Sequence, residues 1–321
     1  MGNRANKAIL VKLTAALLFS LAFILFYIYH DVGPRPDFVV PRRINQVVAM
    51  VLVSVCISYA TVIFLTITNN RILTPGIIGF EAVYMFIQTV IVFVLGGDSH
   101  FVTTHPNFFL SVGMMMLFSL LVYQFMFRKE GNNVFFLLLV GMVLGVMFSS
   151  LTSFMHMVID PNEFWIIQGR MFASFNRINS DLLFISAIVV GITLVASLPF
   201  AKYLDAMSLG KENAINLGVS HKKVSKAFLL IIAVLVSVST ALVGPVTFLG
   251  ILVANLAYQL LATYRHRYLL PMSFFITVIV VVGGQFLVSR VLNFSTTISI
   301  VINLFGGLYF LGLLLKGKKG A

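Results

Sequence analysis

Charged residues are scarce in this chain, and acidic residues are the scarcest. Asp, Glu, Lys and Arg together make up 10% of the 321 residues, with 10 acidic side chains against 22 basic ones. Soluble globular domains carry about 25% charged residues, so this composition excludes an ordinary soluble protein. The single cysteine, Cys56, excludes a disulfide scaffold.

Motifs for chemistry on this chain are missing as well. There is no G-x-x-x-x-G-K-[ST], so any ATP chemistry must come from another chain. H-E-x-x-H, G-x-S-x-G and an intramembrane aspartate pair are absent and the six histidines are scattered, which argues against an intramembrane enzyme. The sequence offers no evident set of metal-ligating side chains, so we expect no metal site and no bound cofactor.

Long apolar runs dominate the sequence, which is 60% hydrophobic with a mean hydropathy of +1.02. Runs of about 20 residues match the ~30 Å hydrocarbon core of a bilayer and are too long for barrel strands. We predict an all-α polytopic membrane protein with a single transmembrane domain over residues 1–321. The ten predicted spans are 8–29, 44–67, 77–96, 107–127, 134–157, 182–201, 226–245, 249–263, 269–290 and 294–315. The first run lacks a cleavage site and is interpreted as an uncleaved span.

Basic residues are unevenly distributed between the two sides of this topology. Six of the 22 fall opposite the N-terminus, namely Arg35, Arg42, Arg43, Arg170, Arg177 and Arg290, and the other sixteen fall on the N-terminal side. The positive-inside rule therefore places both termini and the segment 205–223 in the cytoplasm. The same bias explains the pI near 10, so nucleic-acid binding is not needed to account for it.

Proline and glycine interrupt the apolar pattern at two places. The first break contains Pro75 and Gly79 between spans 2 and 3, and the second contains Gly244, Pro245 and Gly250 between spans 7 and 8. We expect Pro75 at the cytoplasmic face and Pro245 at the outer face. Spans 2–5 and 7–10 would then form two inverted four-helix units, although coincidence among many glycines and prolines stays open.

The longest polar interval on the side predicted to be cytoplasmic contains residues 209–219, LGKENAINLGV. Gly210 and Gly218 bracket it like the ends of a short helix, and Leu209, Ala214 and Leu217 form a small apolar face. Such a helix has nothing of its own to bury against, which favours a soluble partner. A solvated loop is the alternative.

The order Leu209-Gly210, Ala214, Leu217-Gly218-Val219 resembles the coupling-helix signature of the iron-siderophore and vitamin B12 (FecCD-type) permeases. These are the membrane subunits of type II ABC importers. The further motif matches are Asn70, Pro75 and Gly79 in the first break, Gly244-Pro245-x-x-Phe248-x-Gly250 in the second, and Arg265-His266-Arg267-Tyr268-Leu269-Leu270-Pro271. The chain departs from the family at Arg71, where a proline is usual, and at Val253-Ala254-Asn255, where a Pro-His pair is usual.

This resemblance implies partners and a cargo. An ABC ATPase would carry ATP and Mg and receive the coupling helix, with Ala214 lying against it. A second permease subunit, the same or paralogous, and an extracytoplasmic solute-binding lipoprotein would complete an importer in the bacterial cytoplasmic membrane. The sequence segments LTPGIIG and IDPNEFWIIQ look closest to permeases for catecholate or petrobactin-type ferric siderophores. Cobalamin and haem are alternatives.

The resemblance also implies site residues, each with a simpler alternative. Arg42, Arg43 and Arg290 would dock carboxylates of the binding protein, because Arg pairs bidentately with them, although snorkelling anchors are common at span ends. Gly145, Ser149, Ser153 and His156 share one face of span 5 with Gly141. They would line the pathway, or the face would serve close helix packing.

Glu81 is the only carboxylate within a predicted span. We expect it to be solvated or paired with Arg71, and not to serve as a proton relay. An ion-coupled secondary transporter usually needs carboxylates deep in its spans, so that function is the alternative from another class.

Overall fold

The computed structural model describes residues 2–97, 99–103, 105–128, 134–176 and 178–317. These ranges contain helices, turns and connecting segments, and no strand. The helices are α1 (Gly2–Tyr29), α2 (Pro36–Thr68), α3 (Phe80–Leu95), α4 (His100–Thr103), α5 (His105–Arg128), α6 (Val134–Val158), α7 (Pro161–Gln168), α8 (Ser180–Ala201), α9 (Leu204–Met207), α10 (Lys211–Asn216), α11 (His221–Val243), α12 (Leu249–Leu261), α13 (His266–Phe286) and α14 (Ile298–Gly317). Four basic residues used in the charge count, Lys129, Arg177, Lys318 and Lys319, lie outside the described residues.

Each of the ten predicted spans overlaps one of the described apolar helices. Seven of these, α1, α2, α5, α6, α8, α11 and α13, are long and apolar enough to cross a membrane, and α3, α12 and α14 are shorter. The prediction of an all-helical membrane protein is confirmed, while the count of ten spans stays a prediction. Local signals set several ends: Pro36 lies in the first turn of α2, and Asn69 ends that helix with a left-handed C-cap.

Two central helices organise the bundle. α2 and α11 pack against each other, α11 also contacts α3 and α5, and α2 also contacts α12 and α13. α3, α5 and α6 pack together on one side, while α12, α13 and α14 pack together on the other. The contacts are therefore reciprocal: the first helix of each predicted four-helix unit packs on the second and third helices of the other unit.

Hydrogen bonds fix which helix ends lie together. We call one side of the bundle the N-terminal side. It holds the start of α1, the ends of α2 and α12, the start of α13, and helices α9 and α10. On this side Lys12 Nζ donates to Leu260 O at 2.7 Å. The opposite side holds the end of α1, the start of α2 and the end of α13. On that side Arg290 pairs with Asp31 at 2.6 Å.

The two helices that follow the breaks are short. α3 has 16 residues and α12 has 13, which correspond to about 24 Å and 20 Å of helix. Both lengths are below the ~30 Å of a hydrocarbon core, so each break is expected to reach into the bundle. A 3₁₀ turn, Pro75–Ile78, forms the first break, and Gly244, with φ +101°, opens the second.

Candidate functional site

The segment after α8 folds into two short helices, α9 and α10, separated by Gly210. Gly210 and Gly218 have φ angles of +93° and +81°, a conformation that residues with a Cβ rarely adopt. The Gly218 N–H donates to Ile215 O at 2.8 Å, and the Val219 N–H donates to Ala214 O at 3.0 Å. This pair of bonds is a Schellman motif, which ends α10 after less than two turns.

The faces of α10 differ from the predicted arrangement. Ala214 is 0% exposed and lies in the chain's own apolar core together with Leu204 and Met207. The prediction that Ala214 lies against the partner is therefore wrong, because the inner face of α10 packs on its own chain. The apolar side chains that remain exposed are Leu209 (55%), Ile215 (48%) and Leu217 (63%). Of these, Ile215 was missed by the sequence analysis.

The two breaks touch each other inside the bundle. Thr247 Oγ1, in the second break, donates to Glu81 Oε2, just after the first break, at 2.7 Å. A cavity of about 40 Å³ between them is lined by residues of both breaks, among them Pro75 and Gly244. The expectation that the breaks lie at opposite membrane faces is therefore wrong, because each connection folds inward before its short helix begins.

The same contact corrects the expected partner of Glu81. The Arg71 guanidinium lies 4.8 Å from the centroid of the Tyr258 ring, where a cation–π interaction holds it. Asn255 Nδ2 donates to the backbone oxygen of Arg71 at 3.0 Å. Glu81 is thus bonded to Thr247, and Arg71 is held by α12.

Glycines allow these breaks to pack closely on neighbouring helices. A Cβ on Gly141 in α6 would lie 2.8 Å from Ile78 Cα, and one on Gly79 would lie 3.1 Å from Gly145 Cα. In the second break, a Cβ on Gly250 would collide with the Thr61 side chain of α2. Part of the small-residue face on α6 therefore serves close packing, which was one of the two interpretations.

Beyond these glycines, the same face of α6 borders a cavity of about 940 Å³. Gly145, Ser149, Ser153 and His156 all line it, together with Glu81, Thr247 and Asn303. His156 Nε2 lies 3.1 Å from Thr89 Oγ1. The lining residues include one carboxylate and no Lys or Arg. The role of the four predicted residues in passage of a solute stays a prediction.

No group of three His, Cys, Asp or Glu side chains within the described ranges could hold a metal ion. The absence of a resident metal or cofactor stays a prediction for the whole chain. The chemistry that these residues offer is packing and hydrogen bonding, which suits positioning and passage of a solute.

Three arginines meet on the opposite side of the bundle, beside a cavity of about 470 Å³. Arg43 Nη1 donates to the backbone oxygens of Tyr27, Ile28 and His30, and its Nη2 donates to that of Asp31, at 2.7–3.1 Å. Arg43 therefore caps the C-terminus of α1, where cations are favoured by the helix dipole. Four backbone oxygens thus engage both terminal nitrogens of Arg43, and the docking role predicted for it stays a prediction.

The other two arginines, Arg290 and Arg42, differ from each other in whether the guanidinium group has a partner within the chain. Arg290 Nη1 donates to Asp31 Oδ2 at 2.6 Å and its Nη2 donates to Asp31 O at 2.7 Å. Arg42 is exposed, lines the cavity and has no partner among the described residues. Of the three predicted docking residues, Arg42 is thus the one whose fork is available to a partner's carboxylate.

For the binding protein that the resemblance implies, we expect Arg42→Glu to weaken its capture by about 1.5–3 kcal/mol, the range for hydrogen bonds to charged groups. Affinity would be measured by titrating the binding protein onto the purified permease. Arg35→Glu makes the same charge change on the same side and is exposed outside this cavity, so it serves as the control. Equal losses in both variants would mean that only net charge matters.

The profile of the FecCD transport family matches residues 8–316. This chain belongs to the FecCD transport family. Two curated relatives are similar over nearly the whole chain. The petrobactin import system permease protein YclO of Bacillus subtilis (strain 168) is 52% identical, with 96% of this chain and 98% of the relative covered. The petrobactin import system permease protein FatC of Bacillus anthracis is 39% identical, with 98% and 91% covered.

The FecCD fold is also found in solved structures. A metal-chelate type ABC transporter in an inward-facing conformation superposes with a TM-score of 0.83 at 20% sequence identity, over 96% of this chain and 99% of the other. At this identity the likeness concerns the fold. It agrees with the helical membrane architecture that the sequence predicted.

Sequence reasoning missed several residues of this FecCD chain. A buried group on the opposite side joins Gln88 to Asn107 and Ser111 at 2.8–3.2 Å, and Arg170 Nη1 donates to Gln88 Oε1 at 2.5 Å. Thr247 and Asp205 were also missed as contacts. A polar side chain within an apolar run signals a buried partner, which Gln88 offered, but nothing local indicated which partner.

Proposed function

We propose that this chain is the membrane-spanning permease subunit of a type II ABC importer that carries a ferric siderophore of the petrobactin type. The observation that carries the proposal is the 52% identity to a petrobactin import permease over 96% of this chain. The FecCD profile matches residues 8–316, so the likeness includes both breaks and residues 205–223, which we call the coupling segment. The iron would travel inside its chelator as cargo.

The coupling segment supports an ATPase partner. Ile215 on α10 and Leu209 and Leu217 beside its two ends are exposed next to polar residues, while the inner face of the helix is already buried. An apolar side chain projecting from a short helix suits a groove on a soluble subunit. We assign this surface to the ABC ATPase and, following the positive-inside rule, place it and both termini in the cytoplasm.

The remaining partners follow from the two other regions. Arg42 offers a free guanidinium to a solute-binding lipoprotein on the opposite side. The cavity bordered by α6 is open along residues that also face outward, such as Met157 and Val146, which favours a pathway completed by a second permease subunit, the same or paralogous. The reciprocal packing of α2 and α11 supports two inverted four-helix units.

The cargo is tested in bacterial cells that lack this subunit. We expect uptake of radiolabelled ferric petrobactin to be lost on deletion and restored by the intact gene, while uptake of radiolabelled cobalamin and haem continues. Cobalamin or haem uptake lost in place of petrobactin uptake would reassign the cargo. Uptake that follows the proton or sodium gradient when ATP is depleted would favour the secondary transporter.

A further inference from the structure

We propose that His266 is a positioning residue that ties the coupling segment to the first break, through hydrogen bonds to Asp205 on one side and Thr66 on the other. Movement of α9–α10 would then be carried to the end of α2 and onward to the turn at Pro75. This inference rests on the proposed function, since it names the residues through which an ATPase would act on the bundle.

The first half of this connection joins α9 to α13. Asp205 Oδ1 accepts a hydrogen bond from the backbone N–H of His266 at 2.8 Å and lies 2.7 Å from His266 Nδ1. Because a carboxylate only accepts, Nδ1 carries the proton in this pair. Asp205 therefore caps the N-terminus of α13 from a different helix, where a negative charge is favoured.

The second half joins α13 to α2. His266 is 3% exposed, and its Nε2 lies 2.7 Å from Thr66 Oγ1. Thr66 is also buried and lies in the last turn of α2. Since Nε2 carries no proton in this tautomer, it accepts from the Thr66 hydroxyl, whose single hydrogen is also within reach of Val62 O at 2.8 Å. The imidazole is thus held at both nitrogens, so the ends of three helices cannot move separately without breaking the partly buried contact with Asp205 or the buried contact with Thr66.

From Thr66 the chain leads directly into the first break. The Asn69 N–H donates to Thr66 O at 3.3 Å, and the Asn70 N–H donates to Leu65 O at 3.2 Å, which closes the end of α2. A Cβ on Gly210 would lie 3.6 Å from Asn69 Nδ2, so the coupling segment also adjoins this turn. Five residues after Asn70 comes Pro75, and the break ends at the Glu81–Thr247 contact.

A purely structural role for His266 makes a different prediction. If the connection only stabilises the fold, its loss reduces the amount of folded complex, while each folded complex still transports and hydrolyses ATP at the usual ratio. If the connection transmits movement, the complex assembles and hydrolyses ATP but transports less per ATP. The ratio of ATP hydrolysed to chelate transported separates the two.

The experiment uses the complete complex of permease, ATPase and binding protein in proteoliposomes. Thr66→Val removes the hydroxyl with little change of shape, and Thr66→Ser keeps it. Asp205→Ala removes the acceptor, and Asp205→Asn keeps an oxygen that can accept both hydrogen bonds. We expect the ratio of ATP to ferric petrobactin to rise about fivefold or more in Thr66→Val, which loses one hydrogen bond, and at least as much in Asp205→Ala, which loses two. It should stay near the unmodified value in Thr66→Ser and Asp205→Asn.

A second measurement does not depend on the cargo. Hydrogen exchange of the backbone over residues 69–79 is recorded for the permease–ATPase complex with and without ATP. We expect ATP to change exchange there in the unmodified complex and in Thr66→Ser, and to leave it unchanged in Thr66→Val and Asp205→Ala. An ATP-dependent change that survives in both of the latter variants would overturn the inference. Absence of petrobactin uptake by the unmodified complex would instead overturn the proposed function.

Discussion

Replacing both Leu209 and Leu217 with Asp is expected to abolish co-purification of the ATPase while the permease stays folded. The two side chains are among the most exposed apolar groups of the coupling segment, so their loss removes little contact within this chain. Full burial of one leucine in a partner contributes about 1.5–3 kcal/mol, and each 1.4 kcal/mol is tenfold in affinity. The double variant should therefore bind the ATPase at least ~100-fold more weakly, which a pull-down of the tagged permease measures.

The double variant of Asn216→Asp and Ser220→Asp is the matched control for this pair. It also adds two carboxylates, at exposed positions of the same segment, without removing apolar surface. ATPase capture should be nearly normal in the control and absent in the leucine double variant. Normal capture in the leucine double variant would mean that 209–219 is a solvated loop.

A substitution at Ala214, unlike those at Leu209 and Leu217, is expected to destabilise the permease itself. An Arg at this position would place a charge in the chain's own core, at a cost of several kcal/mol if it found no partner. The damage would then appear as loss of folded permease, before any effect on partner binding.

The substitutions Gly141→Leu and Gly306→Leu are each expected to lower the stability of the folded permease strongly. A Cβ at Gly141 would lie 2.8 Å from Ile78 Cα in the first break, and a Cβ at Gly306 would lie 2.8 Å from Phe248 Cβ in the second. Both neighbours are fixed atoms at or next to the backbone, so the helix or the break must shift. Overpacking of this kind costs about 1–3 kcal/mol or more. Thermal unfolding of the purified variants in detergent measures it.

Gly307 and Gly191 provide controls, because a Cβ at either meets nothing within 4 Å. Gly307 is next to Gly306 in α14, and Gly191 lies in α8. Since Leu has a helix propensity about 1 kcal/mol better than Gly, Leu at these positions should leave the melting temperature unchanged or raise it. A Gly141→Leu variant as stable as Gly191→Leu would contradict the close contact of break and helix.

The apolar helices could be predicted from the sequence because length and hydropathy alone define a candidate for a membrane-crossing helix. The breaks could be placed along the chain because Pro75 and Gly244 act on the local backbone. The depth of the breaks within the bundle could not be predicted, because it depends on a hydrogen bond from Thr247 to Glu81, which are 166 positions apart in the sequence. Nothing near Glu81 distinguishes a solvated carboxylate from one bonded to a distant break.

The same distinction between local and long-range features separates the site residues that could be predicted from those that could not. Gly210 and Gly218 were placed correctly at the two ends of a short helix, because helix ends are a local feature of the sequence. The burial of Ala214 was missed, since a helix of six residues has too little periodicity to show which face points inward. Arg43 and Arg42 are neighbours in sequence, and only the end of α1, folded back beside them, gives one a structural role and leaves the other free.

The most direct test of the central claim is ATP-driven uptake in proteoliposomes that contain this permease, its ATPase and the binding protein. Radiolabelled ferric petrobactin is supplied on the side of the binding protein, and ATP is supplied on the side of the coupling segment. The account predicts accumulation that requires ATP and all the subunits, and that disappears with the Leu209 and Leu217 double variant. Accumulation that proceeds without the ATPase, or an intact complex that hydrolyses ATP without moving the chelate, would contradict it.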